Sequence, residues 1–116
     1  MSGRRVVVFL SHGDEGALRL AGACALAAAA QGERVDVFLF GPAVPAVVAA
    51  HGAPADEPGG LLHQARAAGP CRLLACSASV VEERVPPEAA GAALDAVVGW
   101  PTILAWTEGV AERFSF

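Results

Sequence analysis

Two short runs of β-branched and aromatic residues bracket an alanine-rich helical segment, and this arrangement constrains the fold more than anything else in the chain. The first run, Arg4 to Leu10, is nearly continuous in Val, Phe and Leu, the pattern of a strand buried on both faces. It stops at a polar turn, Ser11-His12-Gly13-Asp14, where Asp14 is placed to cap a helix. Gly16 to Ala30 then carries Leu18, Ala21, Ala25 and Leu26 at helical spacing, and Gln31-Gly32 closes it. Arg34 to Phe40 (RVDVFLF) is a second run of the buried type, ended by Gly41-Pro42. A strand, a helix and a strand of this length require a right-handed crossover and a parallel pair.

The rest of the chain repeats the alternation with weaker signals. Pro45 to Ala50 reads as one or two helical turns, and Gly52 to Pro58 (GAPADEP) as a loop, the segment expected to be most mobile. Gly60 to Ala68 is a helix with His63 on its surface, and Cys71 to Cys76 (CRLLAC) a third strand. Ser77 to Arg84 and Glu88 to Leu94 are short helical pieces separated by Pro86-Pro87. Asp95 to Gly99 is a fourth strand, Pro101 opens a helix to about Ala111, and Arg113 to Phe116 is a final short strand. Five strands alternating with helices predict α/β architecture: a single three-layer α/β/α domain over residues 1–116, with a mostly parallel sheet.

Composition removes several functions. Twelve acids against eight arginines leave a net charge of -4, and no basic run extends beyond Arg4-Arg5, so a nucleic-acid partner is not expected. Alanine occurs 26 times, while Lys, Tyr and Asn are absent and Ile occurs once, the mark of a GC-rich, bacterial genome. No uncharged stretch escapes Pro and Gly long enough to span a membrane, and Val6 to Leu10 is too short for a signal-peptide core. Cytoplasmic residence follows as the expectation. Three cysteines, an odd number, suit a reducing compartment better than a disulfide framework.

In an open parallel sheet the working residues gather at the carboxyl ends of the strands. The turn after the first strand, HGDEG, has neither the glycine pattern nor the lysine of a phosphate-binding loop, and its two carboxylates oppose an anion. His12, Asp14 and Glu15 are too close in sequence to converge on one metal, so no metal and no cofactor are expected. No Gly-x-Ser-x-Gly elbow exists for a serine nucleophile. Cys76 is the residue that stands out. It ends a buried strand and precedes Ser77-Ala78-Ser79, where Ser77 or Ser79 is placed to cap a helix. A thiol at a helix N-terminus is more readily ionised, and thiolate is the nucleophilic form. The same position also suits a small thiol that only packs. Cys24 lies mid-helix and reads as structural. Cys71, five residues before Cys76, falls on the opposite face of the strand, roughly 16 Å away, so the two do not form a disulfide. Trp100 and Trp106 read as core or as an association surface.

The element order, the opening VVVFLSHGDEGALRLAGACALAAAAQGERVDVFLFGPAV, the strand ending LLACSAS, then DAVVGW and a terminal ERFSF resemble the DsrE/DsrF-like family of small sulfur-relay proteins. The resemblance implies a compact α/β/α domain assembled as a homo-oligomer, a trimer or a dimer of trimers. It implies a strand-end cysteine that carries sulfur as a persulfide between a donor protein and an acceptor protein, with sulfurtransferase activity that needs no cofactor. Cys76 alone matches that role. His12 assists as base or cation only if the fold brings it near. The segment VVEERVPPEAAG departs from the Arg-Gly element of relay members, and Glu82 and Glu83 would oppose a thiolate if they pointed inward. Two other readings stand beside the relay: a non-catalytic assembly or partner-binding subunit with an inert Cys76, and a redox sensor whose Cys76 forms a sulfenic acid.

Overall fold

A computed structural model describes residues 4–116. Its elements in chain order are β1 (Arg5–Leu10), α1 (Glu15–Ala30), β2 (Arg34–Leu39), α2 (Ala43–Ala49), α3 (Gly60–Ala67), β3 (Cys71–Cys76), α4 (Ser77–Glu82), α5 (Pro87–Ala93), β4 (Ala96–Val98), α6 (Trp100–Trp106) and β5 (Glu112–Ser115). The strands form one sheet in the order β4-β3-β2-β1-β5, and every described pair is parallel, where the sequence pointed to a mostly parallel sheet.

That order and the right-handed crossover rule decide the layers. From β1 to β4 the chain steps steadily one way, so its connections share a face. The step from β4 to β5 runs back across the sheet and takes α6 to the other face. The core divides accordingly. On the first face Val6, Val8, Leu10, Val35, Val37, Leu39, Leu73 and Ala75 meet the buried stripes of α1, α2, α3 and α5. On the second, Val7, Phe38, Leu74, Cys76 and Val98 meet Ile103 of α6. The alternation of side chains along each strand produces this split.

Local chemistry sets the element ends. The Asp14 carboxylate accepts from the Ala17 N–H and caps α1 as its side chain suggested. Helix α6 is shorter than the sequence indicated: it stops at Trp106 rather than near Ala111 because Thr107 Oγ1 donates to the Leu104 carbonyl and Gly109 takes a positive φ of 71°. The Gly52 to Pro58 segment makes local turn bonds and one contact with α1. Glu57 N–H donates to the Pro54 carbonyl, Gly60 N–H to that of Glu57, and Arg19 reaches the Asp56 carbonyl.

Candidate functional site

Cys76 is the last residue of β3 and the N-cap of α4, at the carboxyl edge of the sheet. Its register neighbour on β4 is Val98, and it belongs to the core cluster beneath α6 with Phe38, Leu74 and Ile103. The residue is only 3% exposed. The serines that follow do not cap the helix. Ser79 is buried, and its Oγ accepts from the Gly41 N–H at 2.9 Å, tying the first turn of α4 to the end of β2. The sequence suggested a cap because Ser at a strand–helix junction usually serves as one; here the β2–α2 turn claims the hydroxyl.

Beside this edge lies a shallow apolar groove of about 560 Å³ lined by Phe9, Ser11, Phe40, Trp100 and Ser115. Phe40 stacks on Trp100 at 5.2 Å between ring centroids and meets Phe9 at 6.1 Å. Trp100 is 52% exposed, and Leu104, also on α6, is exposed as well. The second face is thus covered by a single seven-residue helix whose outer surface remains apolar.

The other two cysteines lie away from this edge, Cys24 within α1 and Cys71 at the start of β3. Cys71 sits on the opposite face from Cys76, as its odd offset required. Burial first, then the Asp95 and Asp36 carboxylates, push its thiol up to about 12, so it stays protonated at neutral pH. Burial also raises the Cys24 thiol in α1. His12 is exposed in the β1–α1 turn, its Nδ1 3.4 Å from Ser11 Oγ. Strand β2 lies between β1 and β3, which separates the two strands by about 10 Å. His12 and Cys76 thus lie at the same carboxyl edge of the sheet, with the end of β2 between them. Glu82 and Glu83 are exposed, so neither carboxylate is buried against the thiol.

One pair escaped the sequence reading. His63, expected on a helix surface, is half-buried, with Nε2 2.8 Å from the Val47 carbonyl and its ring 5.5 Å from that of His51. Burial pushes its pKa down, while the bond to the carbonyl works in the opposite direction. Only the packing of α3 on α2 reveals this contact. Among the described residues no three His, Cys, Asp or Glu side chains gather closely enough to hold a metal ion, and no helix is long and apolar enough to cross a membrane.

These features define a class: a small α/β protein with an all-parallel five-stranded sheet and one thiol at its carboxyl edge beside an aromatic groove. The model of the DsrE/DsrF-like family matches residues 4–108, and the chain belongs to that family. Among solved structures, the fold is similar to that of the YchN protein from E. coli, with a TM-score of 0.73 and 15% identity over 98% of this chain and 100% of the other. It is also similar to MTH1491, a protein of unknown function from Methanobacterium thermoautotrophicum, with a TM-score of 0.64 and 20% identity over 96% and 99% of the two chains. No curated protein sequence matches the chain.

Proposed function

We propose that this protein is a sulfur-relay protein that carries sulfane sulfur on Cys76. The observation that carries the reading is the position of Cys76 at the end of β3, within a chain of the sulfur-relay-related DsrE/DsrF-like family. The chemistry is a balanced exchange. The Cys76 thiolate attacks the outer sulfur of a donor persulfide, the donor S–S bond breaks, and the donor leaves as thiolate. An acceptor thiolate then attacks the outer sulfur of Cys76–S–SH and releases the Cys76 thiolate. No electrons are gained or lost overall, and each step requires a thiolate, access and a leaving thiol. The proposed setting is the cytoplasm, where thiols remain reduced.

The burial of Cys76 favours a second reading, a partner-binding subunit whose thiol only packs. Loading with a persulfide donor separates the two. Under the relay reading Cys76→Ser abolishes sulfur uptake, whereas Cys24→Ser and Cys71→Ser retain it. A wild-type protein that takes up no sulfur, with Cys76 unreactive to alkylation until denatured, supports the binding subunit.

Both readings call for association. The proposed assembly is a homo-oligomer, a trimer or a dimer of trimers, which would cover the apolar outer surface of α6 and shield sheet edges. Light scattering at micromolar concentration is expected to return a multiple of the 11.7 kDa chain. A monomer mass would contradict it.

A further inference from the structure

At the opposite, amino-terminal edge of the sheet, the face covered by α6 changes character. Moving back two residues at a time from Val7, Phe38 and Leu74 leads to Arg5, Asp36 and Arg72, with Arg34 one step further along β2. Arg5, Arg34, Asp36 and Arg72, with the Gly69-Pro70 turn, line a pocket of about 170 Å³. Arg5 and Arg34 are direct register partners on adjacent strands, so two guanidinium groups spring from backbones only about 4.8 Å apart. Like charges facing each other across a strand pair cost stability unless something negative lies between them.

The protein's own carboxylates do not supply it. Asp36 is taken by Arg72 in a two-pronged pair, at 2.8 Å from Nε to Oδ1 and 3.0 Å from NH2 to Oδ2. Nearby Glu33 and Glu112 pair with Arg4. Arg5 donates only to backbone carbonyls at the end of α6, those of Trp106 and Glu108. That contact orients its guanidinium without neutralising it. Arg34 has no carboxylate partner among the described residues. Arg72 is further held by the Trp106 ring, 4.6 Å below it. In a chain with net charge -4, three of its eight arginines therefore converge on one pocket whose single carboxylate is already engaged.

The geometry points to a binding site for a small tetrahedral dianion of the phosphate or sulfate class, held by Arg5, Arg34 and Arg72. Planar guanidinium forks donate to tetrahedral oxyanions in pairs, and the pocket volume admits such an ion with a few waters. Arg72 and Arg5 are pre-set by Asp36, Trp106 and the end of α6, while exposed Arg34 closes on the ion. This site is at the far end of the strands from Cys76 and does not depend on the sulfur-relay reading.

Calorimetric titration with inorganic phosphate and with sulfate, against chloride at matched ionic strength, tests the assignment. Saturable submillimolar binding of both dianions and none of chloride is expected. Arg34→Gln, an exposed position that keeps the fold, weakens it about tenfold or more, the loss of one charge-assisted pair. Arg84→Gln removes the same charge elsewhere on the surface and leaves it unchanged. Absence of saturable binding, or equal weakening in the two variants, would overturn the site.

Discussion

Replacing Phe38 with Ala is expected to lower the unfolding free energy by about 3–5 kcal/mol. Phe38 is wholly buried at the centre of β2, with Phe9 and Leu74 as its register neighbours on the flanking strands. Its ring stacks on Phe9 at 5.9 Å between centroids. The second face has one short helix above it, so few side chains are available to collapse into the space left behind. The loss is large against the 5–15 kcal/mol that typically holds a domain together. Phe38→Leu retains most of the volume and should cost less than about 1.5 kcal/mol. Urea unfolding with unchanged slope and a lowered midpoint is the readout. A loss under about 1 kcal/mol for Phe38→Ala would mean that α6 does not seal this face.

Gly60→Ala is the second large effect, and its origin is backbone contact. A Cβ at Gly60 would stand 2.0 Å from the Pro54 carbonyl oxygen and 2.8 Å from its carbon. Neither atom is the free end of a side chain, so the Pro54 loop or the start of α3 must move. A cost on the order of 1–3 kcal/mol is expected, with faster proteolysis in the Gly52 to Pro58 segment. Gly91→Ala in α5 is the matched control, because nothing lies within 4 Å of its added Cβ. There the better helix propensity of Ala should leave stability unchanged or raise it by up to about 1 kcal/mol. Equal behaviour of the two variants would contradict the close approach of the loop to α3.

The parts of the fold legible in the sequence were those governed by local periodicity. Leu18, Ala21 and Ala25 at helical spacing do form the buried stripe of α1, and the three longer apolar runs are central strands. The odd spacing of Cys71 and Cys76 did place them on opposite faces. The features that were not legible depend on partners remote in sequence. Asp36 interrupts a buried run, and only its register with Arg72 on β3 explains why a carboxylate is tolerated there. Ser79 finds Gly41, and His63 finds Val47, across connections whose packing no local pattern records. The GAPADEP segment has the composition of a loop, and its contact with Arg19 and its close approach to Gly60 involve partners that no local pattern records.

The candidate site divides in the same way. The strand-end position of Cys76 was readable, since it follows from an apolar run that stops before small polar residues. Its burial was not, because α6 reaches it by the reverse crossover from β4 to β5. Nor was the placement of β2 between the strands that lead to His12 and to Cys76. A relay protein built this way has to uncover Cys76 when it meets its donor.

Sulfur carriage by Cys76 can be read out by mass spectrometry of the native wild-type protein after exposure to a persulfide donor, followed by peptide mapping. A gain of one sulfur atom located on the peptide containing Cys76, removable by an acceptor thiol, is expected. An unmodified Cys76, in a protein shown to be folded and exposed to an active donor, would contradict it.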